Sequence, residues 1–150
     1  MVGTMDRAQP APRHRQETVL CLLFDESLHP LKGRTYVQKP MFLIQKRADE
    51  NWFTFEAWDY GPFSRELYHV LDYCIECDYV TKSTTEDEHG RIRYHYDAGP
   101  AIGDVFGHGD HEELREVARE VFERYPTDDL TDLLDAVFTE YPEWARNAVY

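Results

Sequence analysis

The run Trp58-Asp59-Tyr60-Gly61-Pro62-Phe63-Ser64-Arg65-Glu66-Leu67 constrains this chain more than any other stretch, because it dictates a tight turn followed at once by a helix start. Gly61 permits a backbone angle that a side chain would resist, and Pro62 fixes the next one. Ser64 can accept a hydrogen bond from a free N–H at the start of the helix, and Glu66 lies in the first turn, where the helix dipole favours an anion. Behind them Leu67, Val70, Leu71, Cys74 and Ile75 fall at i, i+3, i+4, i+7 and i+8, a single apolar stripe.

At 150 residues the chain is expected to form one domain, with enough burial to need no disulfide or metal. Its 42% hydrophobic and 14% aromatic content is that of a globular protein. The net charge of -13 is unevenly spread. Residues 1–50 carry a net of +2, residues 51–100 a net of -6 and residues 101–150 a net of -9. A nucleic-acid contact would therefore fall in the N-terminal half. Only four of the 16 basic residues are Lys, and this acidic, Arg-leaning balance suggests a halophilic origin, with charge repulsion screened by salt.

Three cysteines inside apolar patterns point to a reducing compartment. Cys74 and Cys77 form a C-x-x-C, but with no second such pair they read as core residues at a helix end. The N-terminus shows no apolar leader, and the longest strongly apolar run, Val19 to Phe24, is too short for a bilayer. The expected location is cytoplasmic, away from any membrane.

Residues 1–15 read as a mobile basic tail carrying Arg7, Arg13, His14 and Arg15. A core then spans 16–97. Its first helix runs from Glu17 to Leu28, and a second carries Met41, Phe42, Leu43 and Ile44. Pro40 makes that second helix start near Lys39 or bend. Phe53, Phe55 and Ala57 alternate as in a short strand, and the turn and third helix follow, ending near Cys77. Tyr79–Lys82 and Arg91–Tyr96 form a hairpin, with Ile92, Tyr94 and Tyr96 on one face. A Gly-rich linker over 98–109 leads to a helical extension, 110–150. There Asp110 and Glu113 resemble a capping box, and Leu114 to Tyr125 and Leu130 to Tyr141 give two apolar stripes. Three helices, a hairpin and two further helices predict an α+β, mainly α fold: a winged helix-turn-helix with a hairpin wing and a C-terminal two-helix extension.

Three segments carry a family resemblance. Thr35-Tyr36-Val37-Gln38-Lys39-Pro40-Met41-Phe42-Leu43-Ile44-Gln45 is similar to a Gln-Lys pattern followed by an apolar helix, with Pro40 as a departure. Phe55 to Leu67 is similar to a Tyr-Gly-Pro centre, and Val137 to Ala145 to a closing Tyr-Pro-Glu boundary. Together they resemble the YwgA-like proteins and the SocA-like antitoxin domain, also called Panacea. That resemblance implies a winged-helix-like fold without an established enzymatic reaction. Its antitoxin branch implies neutralisation of a toxin by direct protein contact, and one member type implies delivery of the toxin to a protease.

No nucleophile–base pair, phosphate loop or metal cluster stands out, so no enzyme activity and no cofactor is expected. His89, His95, His108 and His111, with Asp110 and Glu112, are the nearest to a metal set, but they lack a fixed ligand spacing and read as surface histidines. The partner-binding residues expected are Trp58, Tyr60, Phe63, Arg65, His69 and Tyr73, since aromatics with an Arg are what interface hot spots favour. The alternative is a DNA-binding regulator using Lys32, Arg34, Lys39, Lys46, Arg47, Arg91 and Arg93. The third helix offers a poor match to a phosphate-lined groove, with Arg65 outnumbered by Glu66, Asp72 and Glu76, and Glu86, Asp87 and Glu88 crowd the hairpin tip. The partner expected is thus a protein, such as a toxin or regulator, with DNA second; a homodimer remains open.

Overall fold

The computed structural model describes residues 12–107, 109 and 111–148. Among these, six α-helices and two small antiparallel hairpins give an α+β fold that is about 54% helical. In chain order they are α1 (Arg13–Glu26), α2 (Arg34–Ala48), β1 (Glu56–Trp58), β2 (Gly61–Phe63), α3 (Arg65–Glu76), β3 (Val80–Glu86), β4 (Ile92–Ala98), α4 (Gly103–Phe106), α5 (Glu112–Arg124) and α6 (Leu130–Glu140). A 3-10 turn, Pro142–Ala145, follows. Among the described residues no helix is long and apolar enough to cross a membrane.

Helix α1 buries six consecutive residues, Val19 to Phe24, as a helix apolar all round must. It begins four residues earlier than its apolar pattern suggests, because its first turn is tied down. The Gln16 side chain donates to the Trp52 carbonyl at 2.9 Å, and the Thr18 hydroxyl donates to the His14 carbonyl at 2.9 Å. Arg13, His14 and Arg15 are therefore helical, not part of a tail, while Arg7 lies outside the described residues.

Helix α2 does not start near Lys39. It begins at Arg34, after Gly33 at φ 146°, and runs through Pro40 to Ala48. An interior proline costs ~3 kcal/mol. Nine consecutive buried residues, Val37 to Gln45, offset it, since each large apolar side chain buried contributes about 1.5–3 kcal/mol.

The alternation Phe53, Phe55, Ala57 resolves into a hairpin that the sequence pattern did not reveal. β1 pairs with β2 in the register Glu56↔Phe63, Ala57↔Pro62, Trp58↔Gly61, leaving Asp59-Tyr60 as its loop. Trp52 and Phe53 precede the strand and are buried in the core. Helix α3 starts as expected: Ser64 Oγ accepts from the Leu67 N–H at 3.2 Å. Glu66 reaches back to accept from the Thr54 N–H at 2.7 Å.

β3 and β4 form the predicted hairpin, in register from Val80↔Ala98 to Glu86↔Ile92. Among the described residues it meets the body at its base, where Val80 and Tyr96 are buried and Leu31 exchanges two backbone hydrogen bonds of 2.8 Å with Tyr96. Ile92 and Tyr94, placed by alternation on the Tyr96 face, stay 54% and 44% exposed because the strands extend past the core.

The Gly-rich stretch after β4 is tied to the body at Gly99. A Cβ on Gly99 would lie 2.3 Å from the Asp78 carbonyl oxygen, so only glycine fits. Helix α4 follows, and Ile102, Val105 and Phe106 pack on the core. Helices α5 and α6 add Ala118, Val121, Phe122, Leu133 and Val137 to the same cluster as α1 and α2. Asp110, half of the expected capping box, lies outside the described residues. Arg115 joins α5 to the end of α1 through Asp25 at 2.7 Å and Glu26 at 2.9 Å.

Candidate functional site

The three segments singled out by sequence converge on one place. The Gln38 carboxamide accepts from the Ser64 N–H at 2.8 Å and donates to the Ser64 carbonyl at 2.9 Å. The neighbouring Lys39 Nζ donates to the Pro62 carbonyl at 3.0 Å. Consecutive residues of α2 thereby hold both ends of the Pro62-Phe63-Ser64 backbone. From the other side Asn147 donates to the Ala57 carbonyl at 2.7 Å. Phe138 lies where a Cβ on Gly61, itself at φ 84°, would come within 3.0 Å of its ring. Tyr141 and Trp144 pack edge-on to Phe42, with ring centroids 5.4 and 5.0 Å away. The β1–β2 hairpin is thus clamped between α2 and the C-terminal segment.

This clamp presents aromatic side chains outward. Tyr60 in the loop is 51% exposed and Trp58 39%. Trp58 stacks on Phe63 at 4.2 Å, Phe63 meets Tyr68 edge-on at 4.9 Å, and the Arg34 guanidinium lies 4.8 Å over the Tyr68 ring. Arg65 lies 5.9 Å from the Trp58 ring. The geometry therefore brings Trp58, Tyr60, Phe63 and Arg65 together. His69 and Tyr73 continue along the exposed face of α3 at one-turn intervals, and Arg13 covers the Tyr73 ring at 5.3 Å. Tyr68 completes the aromatic row, and Arg34, expected on a nucleic-acid surface, instead lies over its ring and pairs with Asp72. That tie between α2 and α3 joins residues 38 positions apart, which a linear pattern does not reveal.

Beside this row lies a pocket of about 310 Å³, bounded by α2 and the β1–β2 hairpin. Thr35, Gln38, Lys39 and Asp59 form its polar side, and Trp58, Tyr60, Phe63 and Tyr68 its aromatic side. A second cleft of about 620 Å³ shares Trp58 and Asp59 and continues to Phe55, Trp144 and Asn147. Lys39 is only 2% exposed, and burial alone pulls its ammonium down to about 7. It was expected on a nucleic-acid-binding surface; the structure places it inside, where no phosphate backbone can reach it.

The other cations expected to face DNA are largely engaged. Arg34 pairs with Asp72 at 2.9 Å, and Arg47 with Glu120. Arg91 and Arg93 both turn to Asp87 at the hairpin tip, at 3.1 and 3.9 Å. Lys46 lies within 6 Å of the Phe42, Tyr141 and Trp144 rings, and Lys32 is exposed.

Cys74 faces Cys21 of α1, Sγ to Sγ at 4.0 Å, and both are buried. The hydrogen bond that Cys21 donates to Cys74, together with burial, pushes the Cys21 thiol far up, so it stays protonated. Cys77 is half-buried at the helix end. Among the described residues no group of three or more His, Cys, Asp or Glu side chains is placed to hold a metal ion; His108 and Asp110 lie outside that set. Compared with known proteins, the chain matches no family model and no curated protein.

Proposed function

We propose that this chain is a non-enzymatic regulatory module of winged-helix type that acts by gripping a partner protein, in the manner of the SocA-like antitoxins it resembles. The observation that carries the reading is the exposed Trp58 and Tyr60 on a hairpin whose backbone is held from both sides. Large aromatics on a rigid support bind with little ordering cost, which is what an interface hot spot needs. Arg65 beside Trp58 adds a cation suited to the rim. The winged-helix description draws support from α1, α2 and α3 followed by the β3–β4 hairpin, and from the Leu31 bridge that joins the α1–α2 connection to β4.

Ion pairing of Arg34, Arg47, Arg91 and Arg93 favours this reading over a DNA-binding one. Two variants tell the readings apart. The Trp58→Ala, Tyr60→Ala double variant is expected to release the protein partner, and Arg91→Glu with Arg93→Glu to retain it. The reverse pattern, with loss of a bound DNA in the charge-reversal variant, contradicts the proposal.

A further inference from the structure

A buried lysine ordinarily meets a carboxylate, because an unpaired charge removed from water is costly. Lys39 meets a single backbone carbonyl, that of Pro62, and no carboxylate among the described residues pairs with it. An ammonium has three N–H donors, so one acceptor leaves two to be met. The residue also lines a pocket of about 310 Å³ whose opposite side is aromatic, and Asp59, the one carboxylate in that lining, forms no ion pair with it. That volume is at the lower end of small-molecule sites, which pair an apolar lining with a few placed polar groups.

We propose that this pocket binds a carboxylate carried on a small, flat apolar body, the carboxylate against Lys39 Nζ and the body against Trp58, Phe63 and Tyr68. The anion supplies the counter-charge that the fold itself withholds from Lys39. Two sources offer this group: a free aromatic monocarboxylic acid, or an acidic side chain beside an aromatic one on a docked chain. The proposal shares Trp58 and Phe63 with the partner-gripping face, but it is tested on the isolated protein, so its failure is distinguishable from the failure of that reading.

The test is a calorimetric and NMR titration with 3-phenylpropionate, its neutral amide, and the blocked dipeptide acetyl-Phe-Glu-amide. The expected result is saturable binding of the acid, with amide-proton shifts at Thr35, Gln38 and Gly61, and at least about tenfold weaker binding of the neutral amide. Because Lys39 loses its proton near neutrality, the acid's affinity should fall about tenfold per pH unit between pH 7.5 and 9. Lys39→Met should abolish binding while its circular dichroism stays native. If that variant does not fold, the acid-against-amide comparison on the unaltered protein decides alone. Binding by the dipeptide and not the free acid supports the carboxylate site and assigns its source to a docked chain. Equal binding of acid and amide, binding unaffected in a folded Lys39→Met, or no saturable binding of either carboxylate overturns the proposal.

Discussion

Gln38 closes two hydrogen bonds on the backbone of one residue, Ser64, 26 positions later in the chain. A side-chain amide thereby does what a neighbouring strand would do, and it aligns the start of α3 with α2. This explains why a polar residue sits within the nine buried positions of α2, since Gln38 is only 1% exposed yet fully engaged with Ser64.

Replacing Gln38 with Ala should destabilise the fold by about 2–6 kcal/mol. It strands a buried N–H and a buried carbonyl, each worth about 1–3 kcal/mol when left unpaired. Urea unfolding checks this. A loss under 1 kcal/mol would mean that the Ser64 groups find water or other partners.

Gly61 carries two separate constraints, a φ of 84° and the Phe138 ring beside it. Gly61→Ala should cost about 1–3 kcal/mol. In a double-mutant cycle with Phe138→Ala, part of that cost should disappear as the clash is removed, while the backbone part persists. Purely additive losses would show that the ring contributes nothing to the choice of glycine.

Lys39 makes stability depend on pH with a definite sign. Its folded value, about 7, lies below the ordinary lysine value of 10.5. Between those values the unfolded chain holds a proton that the folded chain lacks, so stability rises with pH across that window. The slope is at most about 1.4 kcal/mol per pH unit. Urea midpoints at pH 7.5 and 9 should rise in the native protein relative to Lys39→Met, and identical slopes would refute the assignment.

The cysteines should separate in reactivity. Cys21 and Cys74 are shut in the core, the Cys21 thiol pushed far up by its hydrogen bond to Cys74 and by burial, whereas Cys77 is half-buried at a helix end. Under native conditions iodoacetamide should label Cys77 first, and the other two only on the timescale of unfolding. Mass spectrometry of the labelled peptides reads the order.

Local signals in the sequence were strong where one residue type has one use. Ser64 as a cap, Gly61 at a positive φ, the stripe of α3 and the β3–β4 hairpin could all be read from spacing. The course of α2 through Pro40 could not, because burial against α5, α6 and β2 outweighs a local penalty. The tie between Ser64 and Gln38 and the clamp on Ala57 from Asn147 join residues 26 and 90 positions apart, beyond any window of periodicity. Lys39 misled for a related reason. A lysine counts as surface charge until the helix that carries it is known to be central.

The account rests on a protein partner held by the Trp58–Tyr60 face. The most direct measurement recovers the tagged protein from its own host at the cell's native salt, with and without nuclease. The account predicts a stoichiometric protein that survives nuclease and is lost with the Trp58→Ala, Tyr60→Ala variant. Recovery of DNA fragments alone, with every partner removed by nuclease, would contradict it.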